Sequence, residues 1–253
     1  MWRDLVYILW CLHIVLEVLP ISSSGHVTLL LRIIKKEALS KNIEYLMHIP
    51  TALIICTFLY RYGEWDSLEE FVRYTFFAGC AAGITALWYL VIKEKGNKFP
   101  LWLGFLVTSA LLFSVRWAPF YQGRTVSFAI ACSMGLAQGC ALLPGISRLA
   151  TTFVVGCWLG LAPDVSFLFS LAIQVPLISV AVTKALYETS YIQGKKLWGN
   201  SFGIIAVCVT SLIAYKFLVV VYMLLKNRIT APFAWYMLIP FCSTFFVYGK
   251  KEK

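Results

Sequence analysis

The stretch EVLPISSSGHV, residues 17–27, interrupts an apolar run near the start of the chain. The sequence LVYILWCLHIVL leads up to it, and the sequence TLLLRII leads away from it. Pro20 has no amide donor, and the three serines with Gly25 favour a turn followed by the start of a helix. The stretch, called here the first elbow, therefore predicts two apolar helices joined by a polar break.

The composition of the 253-residue chain indicates a polytopic membrane protein. Apolar residues make up 60% of it, charged residues only 13%, and the mean hydropathy is +0.78. Soluble domains are about half apolar and a quarter charged. The net charge of +10 comes from basic residues in short hydrophilic breaks, such as residues 35–36 and 250–251. This arrangement favours lipid headgroups over nucleic acid as the partner of the basic residues.

Apolar segments of two lengths follow one another along the chain. A spanning helix needs about 20 residues, and somewhat shorter segments span with the help of aromatic and basic flanks. The segments that predict spanning helices are residues 45–60, 75–92, 101–115, 165–186, 202–225 and 235–248. Residues 6–19 and 27–34 are each too short to cross, so they predict a re-entrant helical hairpin over about residues 6–34.

The same pattern recurs in the second half of the chain. Residues 126–161 are apolar on both sides of the sequence PGISR at 144–148, the second elbow, and predict a second re-entrant hairpin. Three predicted spans follow each hairpin, so residues 1–115 and 126–248 form an inverted-topology repeat within one membrane domain, residues 1–253. The predicted fold class is an all-α polytopic membrane protein. It has six spanning helices and two re-entrant helical hairpins whose elbows meet near the midplane.

One carboxylate and one arginine lie inside apolar segments, at one elbow each. A charge at the bilayer centre costs about 2.5 to 3.5 kcal/mol on insertion scales, so a partner or a function is expected for it. Glu17 is interpreted as a functional carboxylate, with a structural pair to a lysine such as Lys216 as the alternative. Arg148 is interpreted as an anion ligand, because its guanidinium matches phosphate oxygens. Snorkelling of its side chain to the membrane interface is the alternative.

Each elbow also begins a predicted helix, whose first amides carry the positive end of the helix dipole. Two such helix ends meeting beside Arg148 would attract an anion strongly. Small and hydroxyl-bearing residues add neutral donors for phosphate oxygens. The candidate phosphate-binding residues are Ser22, Ser23, Ser24, Gly25, Gly145, Ser147 and Thr152.

Two of the three histidines have neighbours that suggest a chemical role. His26 lies three residues after Ser23 and could accept the serine proton, attack phosphorus itself or protonate a leaving group. His13 lies one helical turn before Glu17 on the same face, so it could share a metal ion or a hydrogen bond with that carboxylate. His48 has no such neighbours and is given no role. The candidate catalytic residues are Glu17, Ser23, His26 and Arg148, and the candidate metal ligands are Glu17 and His13.

The two elbows carry a resemblance to a known family. The sequences EVLPISSSGH and GLAQGCALLPGISR resemble the two signature motifs of the undecaprenyl-diphosphate phosphatase family, the bacitracin-resistance proteins of bacterial inner membranes. The likeness continues through SFLFSLAIQVP, LIAYKFLVVVY and TAPFAWYMLI to most of the chain. It implies a multi-pass inner-membrane enzyme that removes the terminal phosphate of undecaprenyl diphosphate and so recycles the carrier lipid for cell-wall synthesis.

The resemblance also implies the fold and the site of this family. The implied fold has six spanning helices and two re-entrant hairpins. The essential residues carry over onto Glu17, Ser23, His26 and Arg148, with Ser147 and Thr152 as supporting donors. The implied cofactor is a divalent cation, Mg²⁺ or Ca²⁺, and the implied partners are a polyprenyl diphosphate lipid and the bilayer. A homodimer is left open.

The chain departs from the family pattern at two positions. His13 stands where relatives usually have Glu or Gln, and an imidazole suits Mg²⁺ poorly because hard cations prefer oxygen ligands. Leu149 stands where relatives commonly have Ser, which removes one hydroxyl from the predicted pocket. The metal ligands and the phosphate contacts are therefore expected to differ.

Two other functions share part of this pattern. The words SGH at 24–26 and SR at 147–148 also belong to phosphatases of the phosphatidic-acid type. Residues 149–160 lack the histidine and aspartate that this type needs. A polyprenyl-phosphate flippase would use the same inverted repeat and the same anion site, but it needs no nucleophile or base.

Charge and resemblance predict opposite orientations in the membrane. The basic loop residues favour cytoplasmic termini by the positive-inside rule. The family resemblance implies periplasmic termini and a site open to the periplasm, and we adopt this orientation for the site.

Overall fold

The computed structural model describes residues 2–35, 48–63, 67–96, 99–119, 124–188 and 201–248, and these residues are helical apart from short turns and one isolated bridge. The α-helices are α1 (Trp2–Glu17), α2 (Ser23–Ile33), α3 (His48–Tyr62), α4 (Leu68–Gly96), α5 (Leu101–Ser114), α6 (Phe128–Cys140), α7 (Arg148–Trp158), α8 (Pro163–Ala172), α9 (Gln174–Glu188), α10 (Ser201–Lys226) and α11 (Ala231–Tyr248). A 3₁₀ turn, Val115–Trp117, extends α5.

Among the described residues, three helical stretches are long and apolar enough to cross a membrane. They are Leu68–Ile92, Pro163–Thr183 and Gly203–Lys226. The shorter apolar helices are Tyr7–Glu17, Leu101–Trp117, Phe128–Cys140 and Ala231–Phe246. Large apolar side chains such as Leu212 and Phe246 are exposed on the outer surface, as lipid contact requires. The protein is therefore a helical membrane protein.

Both predicted helix breaks are confirmed. Helix α1 ends at Glu17, and the Ser22 hydroxyl caps α2 by accepting a hydrogen bond from the Gly25 amide at 3.2 Å. At the second elbow, the Ser147 hydroxyl caps α7 by accepting from the Ala150 amide at 3.2 Å. Serine at both N-caps satisfies amides that would otherwise lack partners at a buried helix start.

The predicted span over 165–186 corresponds to α8 and α9, which are separated at Ile173. Pro176 lacks an amide donor, and its ring crowds the carbonyl of Ala172, the last residue of α8. The first three residues of the predicted span 45–60 lie outside the described residues. The other predicted spans fall within α4, α5, α10 and α11, with small differences at their ends.

Small residues bring neighbouring helices into close contact. A Cβ atom on Gly135 of α6 would lie 2.5 Å from the carbonyl oxygen of Ala81 in α4. Beside this contact, the buried Thr85 hydroxyl lies 2.8 Å from the Gly135 carbonyl and 3.0 Å from Gln138 Oε1. Packing of small residues with buried hydrogen bonds is how helices associate in lipid.

One apolar core packs together α1 and α7, the helices that carry Glu17 and Arg148. Ile14 of α1, Phe58 of α3, Phe153 of α7 and Phe167 of α8 are all fully buried in it. Since α1 ends at Glu17 and α7 begins at Arg148, this core holds both side chains at its edge.

Candidate functional site

The two elbows touch each other through glycine backbones. A Cβ atom on Gly25 would lie 3.0 Å from the Cα of Gly145, and one on Gly104 of α5 would lie 2.0 Å from the Pro144 carbonyl oxygen. Gly145 has a φ of +83°, in the left-handed region that favours glycine. The two elbows therefore lie in contact with each other.

Thr108 of α5 holds the second elbow in place. Its hydroxyl accepts a hydrogen bond from the Ser147 amide at 3.0 Å and lies 3.1 Å from the carbonyl oxygen of Gly145. Thr108 is fully buried. Nothing in the sequence distinguishes this residue, because a threonine within an apolar helix is an ordinary feature.

The carboxylate of Glu17 joins the two elbows. The Ser23 hydroxyl donates to its Oε2, and the Arg148 guanidinium donates to its Oε1. Glu17 is only 6% exposed, so both hydrogen bonds lie in a site largely shielded from solvent. The alternative partner Lys216 is wrong, since that side chain is exposed on α10. Glu17 and Arg148 thus share one site, as their burial in apolar sequence predicts.

Two histidines flank the same carboxylate. His13 Nε2 lies 3.7 Å from Glu17 Oε2, and His48 Nδ1 lies 3.9 Å from Glu17 Oε1. The proximity of His13 follows from its position one turn before Glu17 in α1. The expectation that His48 has no such neighbours is wrong, because the start of α3 packs against the end of α1. A histidine at the start of an apolar segment was the one signal available in the sequence.

A cavity of about 680 Å³ opens beside the elbows. One end is lined by His13, Ser24, His48 and Arg148, and small residues of α4 form part of its wall. These wall residues are Gly79, Ala82, Gly83 and Ala86. The cavity therefore joins a polar end to an apolar body, a shape suited to an amphipathic ligand.

A second, much smaller pocket of about 20 Å³ adjoins the polar end of the large cavity. Its polar lining is Glu17, Ser22, Ser23, Ser24, Ser147, Arg148 and Gln174. Arg148 and Ser24 line both spaces. Leu149 also lines the small pocket, in the place where the family resemblance expects a hydroxyl.

His26 takes a different position from the one its spacing suggests. Its Nδ1 lies 2.6 Å from the Ser22 carbonyl oxygen, and its ring stacks on Tyr236 at a centroid distance of 5.6 Å. It lines neither of the two spaces described above. The Ser23 hydroxyl is hydrogen-bonded to Glu17, whereas the hypothesis expects His26 as its proton acceptor. The carboxylate is placed to take the serine proton without any side-chain movement.

Thr152 also lies outside these two spaces. It is fully buried, and its hydroxyl donates to the Arg148 carbonyl at 2.9 Å within α7. The structure does not place this hydroxyl where a phosphate would contact it. Gly145 likewise shapes the second elbow through its backbone and lines neither space.

Comparison with known proteins gives a consistent result over most of the chain. The family model described as bacitracin resistance protein BacA matches residues 8–240. An undecaprenyl-diphosphatase of Treponema denticola is 26% identical, with 88% of each chain covered. One from Pelobacter propionicus is 28% identical, with 92% of each chain covered. One from Korarchaeum cryptofilum is 28% identical over 80% of this chain and 84% of the relative.

Proposed function

Because the chain belongs to the bacitracin resistance protein BacA family, we propose that it is an integral-membrane undecaprenyl-diphosphate phosphatase. It hydrolyses undecaprenyl diphosphate to undecaprenyl phosphate and inorganic phosphate. This reaction recycles the lipid carrier for cell-wall synthesis and gives bacitracin resistance. Relatives named undecaprenyl-diphosphatase support it. The observation that carries it is the Glu17 carboxylate bonded at once by Ser23 and Arg148.

The proposed membrane architecture has six spanning helices and two re-entrant hairpins, with residues 1–115 and 126–248 as inverted repeats. Helices α2 and α7 have 11 residues each, so each is roughly 16 Å long, about half of a bilayer core. A backbone bridge joins Arg124 to Leu161, so the second hairpin leaves where it enters. Both observations support half-crossing helices whose elbows meet inside the protein.

The proposed substrate position follows the polarity of the large cavity. The polyprenyl chain occupies its apolar body against α4, and the diphosphate reaches its polar end at Arg148. The amides of Ser23 and Ser24 at the start of α2 and the guanidinium of Arg148 then face the phosphate oxygens. A buried site with fixed donors stabilises developing negative charge without reorganisation of solvent.

The proposed chemistry begins with the Ser23 hydroxyl. Its oxygen attacks the terminal phosphorus while its proton passes to the Glu17 carboxylate, to which it is already hydrogen-bonded. The new bond from oxygen to phosphorus replaces the bridging bond, and undecaprenyl phosphate leaves with the bridging oxygen. Water then hydrolyses the phosphoserine and releases inorganic phosphate.

His26 remains a proposed catalytic residue with a second route. Because its Nδ1 is held by the Ser22 carbonyl, Nε2 is the nitrogen available to take a proton or to attack phosphorus. Rotation of the ring away from Tyr236 would be needed to bring it to the diphosphate. Direct attack by water is the third route.

Trapping of the phosphorylated protein tests these routes. Acid quenching during turnover, followed by peptide mass spectrometry, should find phosphate on Ser23, and the Ser23→Ala variant should show neither the adduct nor turnover. Phosphate on His26 would overturn the serine route in favour of the histidine. A wild-type protein that turns over without any adduct would overturn both in favour of water.

Transport of a polyprenyl phosphate is the alternative function, because broken helices that meet inside a membrane protein are also a transporter device. The hydrogen bond from Ser23 to Glu17 favours hydrolysis, since a flippase has no use for a paired nucleophile and base.

We also propose the bacterial inner membrane as location, with the site open to the periplasm. Cysteine labelling of both termini in intact cells tests this orientation. Assembly as a homodimer stays a prediction. Analytical ultracentrifugation of the purified protein tests it.

The resemblance implies a divalent cation, Mg²⁺ or Ca²⁺, at this site. Mg²⁺ and Ca²⁺ bind through several oxygen ligands. The cluster of His13, Glu17 and His48 offers two imidazoles and only one carboxylate. This donor set does not fit Mg²⁺ or Ca²⁺, so no step above depends on either ion.

A further inference from the structure

We propose that His13, Glu17 and His48 bind one divalent transition-metal ion that accepts imidazole ligands, such as Zn²⁺. This differs from the Mg²⁺ or Ca²⁺ that the family resemblance implies. The ligand set of two histidines and one carboxylate is one that proteins use for Zn²⁺ and for other transition metals. The metal site does not depend on the proposed phosphatase activity.

The distances within the cluster are close to those of a metal site. One ligand atom from each of the three residues can be chosen so that all lie within 4.8 Å of one another. The two nitrogen-to-oxygen distances are 3.7 and 3.9 Å, too long for hydrogen bonds. Ligand atoms about 2.0 to 2.1 Å from a tetrahedral ion lie roughly 3.4 Å apart. The two distances run to different oxygens of Glu17, and the pair of ligand atoms farthest apart must close by at most about 1.4 Å to reach the tetrahedral geometry.

Among the described residues, three buried ring nitrogens of the cluster have no hydrogen-bond partner. His13 is fully buried, and among the described residues neither of its ring nitrogens has a hydrogen-bond partner. His48 is 8% exposed, and its Nδ1 also has no hydrogen-bond partner among the described residues. A buried polar atom without a partner is unfavourable, because nothing in the protein replaces the hydrogen bond that it makes to water in the unfolded chain. A metal ion between the rings would satisfy one nitrogen of each.

The arrangement of the two rings is set by helix packing. His13 and Glu17 lie one turn apart in α1, and His48 begins α3. The two imidazoles meet edge to face, with ring centroids 4.8 Å apart. Neighbouring packed side chains thus hold both histidines beside the carboxylate, so little side-chain entropy is lost on binding.

The charges around the cluster favour an ion that binds imidazole nitrogens over a hard cation that is held mainly by carboxylate charge. The single carboxylate is partly neutralised by Arg148, so a hard cation would meet little net negative charge. Each carboxylate oxygen has two lone pairs, and the hydrogen bonds from Ser23 and Arg148 use one on each oxygen. A second lone pair therefore remains for an ion, and the imidazoles supply the rest of the binding energy.

The open position of this ion would face the large cavity. His13, His48 and Arg148 line the same end of it. A ligand oxygen can complete the coordination there, as in zinc sites that keep one position free. The identification of that oxygen as part of the lipid diphosphate is the one step that rests on the proposed function.

Cobalt binding tests the site independently of turnover. The full-length chain is purified in detergent without a polyhistidine tag, stripped with a chelator and titrated with Co²⁺. We expect about one equivalent to bind with visible d–d absorption. The spectrum should lack a sulfur-to-metal charge-transfer band, because the eight cysteines are not ligands. Zn²⁺ should displace Co²⁺ at concentrations at least roughly a hundredfold below those of Mg²⁺ or Ca²⁺.

Substitution of single histidines assigns the ligands. His13→Gln and His48→Gln should each weaken Co²⁺ binding at least about tenfold, because an amide is a poor ligand for these metals. His26→Gln is the matched control: it removes the third histidine of the chain, outside the cluster, and should bind Co²⁺ like the wild type.

Three results would overturn the metal site. They are the absence of Co²⁺ binding to the wild-type chain, equal displacement by Mg²⁺ and Zn²⁺, and equal loss of binding in all three histidine variants. The wild-type titration needs no variant to fold. A protein that binds Co²⁺ but releases no phosphate would contradict the proposed function alone. A protein that releases phosphate without binding Co²⁺ would contradict the metal site alone.

Discussion

At the scale of single residues, the groups around Glu17 determine the chemistry of the site. Burial of one carboxylate and one arginine in apolar sequence was enough to predict that Glu17 and Arg148 share a site. His48 and Thr108 could not be found in the same way, because their roles arise from contacts between helices that are distant in sequence. Ser23 was found, but its hydrogen-bond partner was not: helical spacing indicates His26, whereas the fold brings Glu17 closer.

Arg148→Ala should lower turnover at least about a hundredfold, because the phosphate in the transition state loses its guanidinium ligand. Phosphate release by purified protein measures this effect. Arg73→Ala is the matched control, since Arg73 is an exposed residue of α4 with a weak contact to Glu70 at 3.9 Å. Near-normal turnover in Arg148→Ala, with an intact fold, would contradict the assigned role.

At the scale of elements, the two elbows are predictable and their mutual fit is not. Pro20 and the Pro144–Gly145 pair break their helices by local chemistry, and Ser22 and Ser147 cap the next helices for the same reason. The approach of Gly104 to the Pro144 carbonyl depends on how α5 packs against the second elbow, which no local pattern encodes. The separation of α8 from α9 follows from Pro176. The sequence contains this proline, but the single span predicted over residues 165–186 did not treat it as a helix break.

Gly145→Ala should destabilise the protein by about 1 to 3 kcal/mol. A φ of +83° is strained for alanine, and its Cβ would lie 2.6 Å from the Leu101 carbonyl oxygen. Thermal unfolding in detergent measures the difference from wild type. Gly79→Ala should be close to neutral, because its Cβ would meet no atom within 4 Å. Equal stability of the two variants would show that the elbow tolerates a side chain.

At the scale of the whole molecule, the cavity connects an apolar space to the polar site. Composition and segment lengths predict a helical membrane protein, but they do not predict a cavity of about 680 Å³ between α4, α9 and the elbows. The cavity arises because small residues of α4 leave space that larger side chains would fill. In the proposed placement, its apolar body takes the part of the polyprenyl chain next to the charged headgroup.

Gly83→Leu should raise the KM for undecaprenyl diphosphate about tenfold, because the new side chain enters the open space that a Cβ at this position faces. A short polyprenyl diphosphate should be affected much less. Thr75→Leu places the same side chain at an exposed position of α4 and should change neither KM. Equal effects of Gly83→Leu on both substrates would contradict the placement of the lipid chain.

Phosphate release from undecaprenyl diphosphate tests the central claim most directly. Purified wild-type protein in detergent should convert the lipid to undecaprenyl phosphate and release one inorganic phosphate per molecule, and Glu17→Gln should release little. Recovery of intact undecaprenyl diphosphate from the wild-type reaction, together with movement of undecaprenyl phosphate across vesicle membranes by the same protein, would contradict the phosphatase account and favour transport.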